Sequence, residues 1–575
     1  MRIIIISLAC MLQIGFHCYA QKPLLADTDT VYNAGSGIQI ITVDSNKVKM
    51  LTNLGMLWGF IKYYHAHVNE GAYNMDAELF RILPKILAAE TPAKANKIME
   101  EWVDHFGKPV PCPKCRSITR TKDVKLMPDY GYLFDENNFS KTFRNKLDYI
   151  KQNRSVKSKH YYISLTNIGN PVFEHETAYK ANAYPDAGLR LLALYRYWNM
   201  IQYFYPDRHL IGEDWNKVLG ELIPEFCSAK DTLAYNYACL HMVSRLHDTH
   251  AQIRETRCME QAKGIRLPPI GVTFAEQKLV VVHVKDTLGI KDKIKPGDII
   301  EKINGVSIET LISRYLPETP ASNYSTQLYY MVGQSFLRTN DTVMHFDIKR
   351  GNEQLHLTLF TLDPYKNWYS PHVYESDTSY KMLDGNIGYI YPEKLKGTEL
   401  DNIKTIMKYT KGIVIDMRCY PGIFMPFSYG NWLKKGTSRF AQFSEMSTDI
   451  PGRCTLSGNA SNGCDGPDCY YGKLVIIVNA AAVSQSEYTV MALAGPNTTV
   501  IGDTTAGADG NVSQIVLPGN LITRISGIGI MYPDGTETQR VGIKIDKIVR
   551  PSIKGIAEGR DDLLESALNY IKESK

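Results

Sequence analysis

The sequence predicts an α/β core of parallel strands under crossover helices, with helical units ahead of it and a β-rich domain between. Three observations carry this. From Asp384 onward apolar runs alternate with helix-like stretches, the pattern of a parallel sheet with crossover connections. Two stretches nearer the N-terminus place aromatic and aliphatic residues at helical spacing. Between them and the core lie short β-rich runs bounded by tight turns. At 575 residues the chain is too long for one hydrophobic core. The expected partition is 1–20, 21–185, 186–262, 263–362 and 363–575.

The first segment, "MRIIIISLACMLQIGFHCYAQK", has Arg2, an apolar stretch from Ile3 to Phe16, and the small-residue exit Cys18-Tyr19-Ala20. It reads as a secretory signal peptide cut after Ala20. The apolar part is short for a bilayer span, and Cys10 stands too early in it for a lipoprotein signal. The mature chain is expected to be secreted or periplasmic, in a bacterial cell envelope, without stable membrane insertion. A net charge of +5 with no long Lys/Arg run makes nucleic acid a poor partner.

Segments 21–185 and 186–262 share an internal repeat. "LWGFIKYYH" (Leu57 to His65) resembles "YWNMIQYFY" (Tyr197 to Tyr205), and "RILPKIL" (Arg81 to Leu87) resembles "ELIPEFC" (Glu221 to Cys227). Trp58 and Trp198, and Pro84 and Pro224, are each 140 residues apart, so a helical unit is duplicated. The first copy has no counterpart of "HDTH" and reads as structural. Between the copies lie "CPKC" and the basic "KQNRSVKSKH", read as a solvated face.

Segment 263–362 carries β-rich runs at Gly271 to Phe274 and Leu279 to Val284, a helix-like "LGIKDK", and a tight turn at Lys295-Pro296-Gly297-Asp298 leading into "IIEKING". This looks like a PDZ domain. That resemblance implies a groove that takes an extended peptide as an added strand. Pro268-Pro269-Ile270-Gly271-Val272 is the candidate loop for a terminal carboxylate, so Ile270, Gly271 and Val272 are assigned to peptide binding.

Beyond the leader nine cysteines remain. Export permits disulfides. The lone CxxC of Cys112 and Cys115 is weak evidence for zinc, which wants four ligands, so no metal or other cofactor is expected. Cys464 and Cys469 are the favoured disulfide in the loop that also holds Cys454. The odd count leaves at least one thiol free or paired between chains.

The core offers "KLVIIVNAAAVSQSEYTVMALAG", a strand breaking into a helix at Ser484, Ser486 and Glu487. Ser484 and Glu487 fit a capping box. Ser486 does not. In the first helical turn its hydroxyl lies beside unpaired amides and the positive helix end, which favour developing negative charge. Asp416 to Gly422, Asn479 to Ser486 and Asp503 to Gly510 each follow a strand, where working loops gather in such sheets.

From about Tyr195 to Leu568 the chain resembles the S41 serine peptidases, the C-terminal processing or tail-specific proteases. The resemblance rests on "RLHDTHAQI", the PDZ-like "KPGDIIEKINGV", "GIVIDMRCYPG", "VSQSEY", "VIGDTTAG" and "RVGIKIDKIV" in order. It implies a ClpP/crotonase-like core with Ser486 as nucleophile and Gly422, Ile423 and Glu487 around the oxyanion hole. The processing-protease branch uses a lysine where this chain has Ala508 or Asp509, and no lysine occurs between Lys473 and Lys544. The tricorn-core-like branch uses an upstream histidine. That implies His250 as base, Thr249 as a neighbouring hydroxyl residue, and Glu537 or Gln539 nearest the orienting carboxylate. Asp416 and Arg418 are expected to anchor the strand end, and His247 to be structural. A neutral imidazole can take the serine proton at neutral pH. The implied activity is peptide-bond hydrolysis through an acyl-enzyme, on peptides or unfolded proteins. A catalytically degenerate peptide-binding protein, or a hydrolase of another acyl bond, are the alternatives. Nothing in the sequence sets the oligomeric state.

Overall fold

The helical repeat emerges as two helix triplets at the 140-residue interval. The computed structural model describes residues 23–573 apart from 116, 157–159, 286–288 and 364–375. The leader, with Cys10 and Cys18, lies outside the described residues. Helices α1 (Ser45–Tyr64), α2 (Met75–Ala88) and α3 (Pro92–His105) are matched by α4 (Ala187–Phe204), α5 (Trp215–Ser228) and α6 (Thr232–Ser244). The start signals repeat too. Asn74 and Asp214 cap the second helices, and Thr91 and Asp231 the third, by accepting from first-turn amides. The indole N–H of Trp58 donates to Met75 O and that of Trp198 to Trp215 O, both at 2.7 Å.

Helices α1 and α4 cross at equivalent positions. A Cβ on Gly55 would lie 2.5 Å from the Tyr195 ring, and one on Gly59 1.8 Å from Asn199 Oδ1. Both pairs are 140 residues apart, so the copies face each other about a local two-fold axis. The missing Cβ atoms let the helices close. Asn199 Nδ2 then donates to Gly55 O at 2.9 Å and Tyr195 O at 2.8 Å. Both triplets share one buried core.

The first triplet runs on to β1 (Val124–Leu126) and the hairpin of β2 (Ile163–Leu165) and β3 (Pro171–Phe173). After α6 comes an antiparallel sheet in the order β4 (Ile270–Ala275), β5 (Lys278–Val284), β6 (Ile299–Ile303), β7 (Val343–Arg350), β8 (Glu353–Phe360). It has its own core and carries α7 (Ile308–Tyr315) and α8 (Tyr324–Met331). The Lys295–Asp298 turn is present, with Gly297 at φ +90° and the Asp298 amide on Lys295 O. The helix expected at "LGIKDK" is a turn over its described part, 289–293. Six residues ended by Ile294 and Pro296 are too few for a stable helix.

The third body is the parallel sheet. Its order is β9 (Tyr380–Leu383), β10 (Ile387–Ile390), β11 (Gly412–Asp416), β14 (Lys473–Val478), β15 (Thr498–Gly502), β19 (Lys547–Ile548). Only β9–β10 is antiparallel. Residues alternate between faces, as the strand period of two requires. Ile413, Ile415, Leu474 and Ile476 bury against α9 (Leu400–Met407) and α10 (Gln485–Leu493), and Val414, Val475 and Ile477 against α11 (Asp562–Glu573).

Two hairpins tie this core to the helical copies. In the first, β12 (Ser438–Met446) and β13 (Cys454–Asn462) form a sheet with β1 on one side and β18 (Gly529–Met531) on the other. In the second, β16 (Val512–Leu517) and β17 (Leu521–Ser526) touch β3 and α4, with Ser513 Oγ donating to Pro171 O at 2.6 Å. Cys464 pairs with Cys469, as favoured. Cys112 pairs with Cys115, which removes that CxxC from any metal role. Cys454 is a buried free thiol. Among the described residues no helix is long and apolar enough to cross a membrane.

Candidate active site

Ser486 is the second residue of α10, directly beyond the loop that follows β14. The expected capping box forms: the Ser484 side chain faces the Glu487 amide, and the Glu487 carboxyl reaches back to Ser484 N–H at 3.3 Å. Ser484 itself has φ +57°, a strained value for a residue with a Cβ. The bend turns Ser486 inward, fully buried, where its hydroxyl donates to Cys419 O at 2.8 Å. Cys419 belongs to the loop after β11. That strand end is anchored as expected. Asp416 accepts from Arg418 Nε at 2.8 Å and Nη2 at 2.6 Å and from Tyr389 OH at 2.9 Å, and Arg418 also pairs with Asp561.

Three amides were expected around an oxyanion, and two are committed elsewhere. Gly422 N–H donates to Pro392 O at 3.0 Å. Its missing Cβ explains the approach, since one would lie 2.6 Å from Glu393 O. The Glu487 amide belongs to the cap. The Ile423 amide has no hydrogen bond to a described residue, and its carbonyl is held at the helix start by Gln485 Nε2 at 2.5 Å.

The Glu487 carboxyl makes the expected cap and meets further donors besides. It is fully buried among donors: Thr505 Oγ1 at 2.5 Å, Gly507 N–H at 2.9 Å, Ala508 N–H at 3.0 Å, and Ser484 N–H. Burial pushes it up to about 7 despite these bonds. Asp509 is buried beside it, with Oδ1 on Gly510 N–H at 2.7 Å and Oδ2 unpaired. Burial first and Glu487 second hold Asp509 well above the carboxylate range.

The 505–508 loop also receives the upstream histidine segment. Thr249 Oγ1 donates to Ala506 O at 2.8 Å, and Thr249 N–H to Ser322 Oγ at 2.9 Å, just ahead of α8. Thr249 thus docks its loop rather than touching the reacting groups. His250 follows, its side chain a tenth exposed. Its Nδ1 is 2.9 Å from Ser526 Oγ, and its Nε2 is buried with no partner. Burial lowers its pKa; Asp248 opposes that and Arg524 adds to it. The ring is therefore neutral at neutral pH. No hydrogen bond joins His250 Nε2 to Ser486 Oγ among the described residues. The two segments meet through one loop, whose Ala506 carbonyl holds Thr249 and whose Gly507 and Ala508 amides hold Glu487.

The expected third residues are hydrogen-bonded to groups other than His250. Glu537 accepts from His209 Nε2 at 3.0 Å and Lys125 Nζ at 3.1 Å, and Lys125 also meets Asp207 at 2.9 Å. These partners hold Glu537 below its ordinary pKa against the opposing effect of burial. Gln539 Nε2 donates to Tyr205 OH at 3.1 Å. The groups on His250 are Ser526 and, behind it, Asp248. Asp248 accepts from Ser526 N–H at 2.7 Å, Ser526 Oγ at 3.1 Å and His250 N–H at 3.0 Å. Asp248 was visible in "HDTH" but carried no role. Ser526 ends a strand some 276 residues from the histidine, with no local signal. His247, with φ +52°, pairs with Glu213 at 3.3 Å and is structural.

The peptide-binding triplet lies in a strand, not a loop. Ile270, Gly271 and Val272 begin β4 and pair with Val284, His283 and Val281 of β5, with a bulge between Gly271 and Val272. Only Pro268 and Pro269 remain outside it. β4 is the edge of its sheet and α8 lies against it.

Residues 386–549 match the model of peptidase family S41. Two solved structures of mature CPAF, one complexed with lactacystin, are similar at 11% and 10% identity with TM-scores of 0.51. They cover 68% of this chain and 99% and 98% of their own. A crystal structure of a putative peptidase from Parabacteroides merdae is 15% identical, covers 67% of this chain and 96% of its own, and has a TM-score of 0.40. No curated protein matches in sequence.

Proposed function

Starting from a segment, residues 386–549, that belongs to peptidase family S41, we propose that this protein is a serine peptidase of peptides or unfolded proteins, working through Ser486 and His250. The observation that carries the reading is His250, its Nε2 buried and without a hydrogen-bond partner, on a loop docked to the segment that holds Glu487 beside Ser486. In the working state Ser486 leaves the Cys419 carbonyl and gives its proton to Nε2. Its Oγ attacks a peptide carbonyl, whose oxyanion meets the Ile423 N–H. The imidazolium protonates the leaving amine, and water then hydrolyses the acyl-enzyme. One oxyanion donor contributes roughly 3 kcal/mol to lowering such a barrier.

The antiparallel order of β4 to β8 and the edge position of β4 support reading this domain as PDZ-like. Its role in this reading is to take an extended peptide as an added strand along β4, beside Ile270 to Val272. Export through the N-terminal leader completes the picture of a cell-envelope enzyme.

A fluorophosphonate probe tests the chemistry. The wild-type protein becomes labelled, Ser486→Ala is unlabelled, and His250→Ala labels at least about a hundredfold more slowly. The Ser486–Cys419 bond and the committed Gly422 amide favour a second reading, a peptide holder without turnover. That reading gains if the wild type resists the probe while still binding peptides.

A further inference from the structure

We propose that Asp248 and Ser526 are positioning residues that fix the tautomer of His250, so that its Nε2 carries the lone pair. This rests on the reading of His250 as the base. A hydroxyl has one proton to give. Ser526 Oγ donates it to Asp248 Oδ1 at 3.1 Å, an acceptor-only carboxylate whose other oxygen takes the Ser526 amide at 2.7 Å. The Ser526 oxygen is then left as an acceptor toward His250 Nδ1 at 2.9 Å. Nδ1 must carry the hydrogen, and Nε2 is bare. The same carboxylate accepts from the His250 backbone N–H at 3.0 Å, which ties ring and main chain to one group. Nδ1 lies 3.9 Å from Asp248 Oδ1, too far for a direct hydrogen bond, so the serine is the link.

The pair is buried completely, and its elements are independently held. β16–β17 is clamped to β3 through Ser513. Asp248 sits in the loop docked through Thr249 on Ala506 and Ser322. When His250 takes a proton, the charge is answered through Ser526 by Asp248. The charged and titratable groups facing this relay are Arg524, which disfavours that charge, and Tyr197, Tyr205 and Tyr330, which face Asp248. Thr249 and Glu537, the hydroxyl and carboxylate suggested by sequence, are bonded to other groups.

The test uses the full chain, labelled with 15N-histidine, with the His250 signals identified by their loss in His250→Gln. The wild type shows Nδ1 protonated and Nε2 bare, and Ser526→Ala moves the proton toward Nε2. A wild type with Nε2 protonated overturns the inference whatever the enzyme does. Fluorophosphonate labelling gives the second readout. Ser526→Ala labels about tenfold or more slowly, with its pH midpoint lowered because the imidazolium loses its partner, while Ser526→Thr keeps the hydroxyl and stays within about threefold of wild type. Equal rates and equal midpoints for Ala and wild type sink the relay. Failure of the wild type to label at all sinks the peptidase reading instead and leaves the tautomer measurement to decide the relay. If Ser526→Ala does not fold, the wild-type spectrum and Ser526→Thr still decide it.

Discussion

Gly59→Ala is the sharpest test of the helical architecture, because it adds one methyl on a symmetry axis. An added Cβ would fall 1.8 Å from Asn199 Oδ1 and 2.0 Å from its Cγ. Asn199 is fully buried and cannot swing into solvent. Displacing it breaks its bonds to Gly55 O and Tyr195 O, which costs about 1–3 kcal/mol. Crowding the α1–α4 crossing costs about 1–3 kcal/mol more. Alanine's better helix propensity returns about 1 kcal/mol. The net expectation is roughly 3 kcal/mol of destabilisation, read from chemical unfolding of the full chain followed by circular dichroism. Gly333→Ala is the control, since nothing lies within 4 Å of a Cβ there, and it is neutral or slightly stabilising. The swap Gly59→Asn with Asn199→Gly goes further. Positions 59 and 199 are equivalent, as are 55 and 195, so an asparagine at 59 faces the same two carbonyls from the other side. The swap recovers most of the loss. Wild-type stability in Gly59→Ala, or a swap no better than the single variant, would refute the two-fold crossing.

Three further outcomes follow from the site. Gly422→Ala pushes a Cβ against two backbone carbonyls, Glu393 O at 2.6 Å and Leu395 O at 3.1 Å; it displaces the Ile423 amide and slows fluorophosphonate labelling by about tenfold or more. Glu537→Gln labels within about threefold of wild type, because its partners are His209 and Lys125; a hundredfold loss would restore it to the reaction. Asp509→Asn keeps the bond from Gly510 N–H and removes a buried titration. A carboxyl whose folded pKa is raised supports the fold below its unfolded pKa, and that support is lost as pH rises through the folded value. The melting temperature of Asp509→Asn therefore gains on the wild type between pH 5 and pH 8. A gain that shrinks with rising pH contradicts the account.

Local chemistry was legible in sequence wherever it was local in the chain. The Ser484–Glu487 capping box, the Lys295–Asp298 turn and the alternation of Ile413, Val414 and Ile415 each depend on neighbours within a few residues. The repeat was legible for another reason, because its caps and tryptophans are kept in register at a fixed interval of 140 residues. The third group on His250 was not legible. Ser526 reaches it through a strand pairing, and serine at a strand end has no signature of its own. Glu537 looked suitable by position, but a lysine more than four hundred residues earlier, Lys125, claims it. The sequence could not show that Gly422 spends its amide on Pro392, since that bond belongs to the path of a distant turn.

The α1–α4 crossing also bears on how this molecule behaves when scarce. Two like units meeting about an axis is how separate subunits pair, and such pairs come apart on dilution. Here both halves share one polypeptide, and their effective concentration is set by the linking chain rather than by the solution. The bracing that β2–β3 and Lys125 lend the core hairpins consequently persists in a single molecule, however few others surround it.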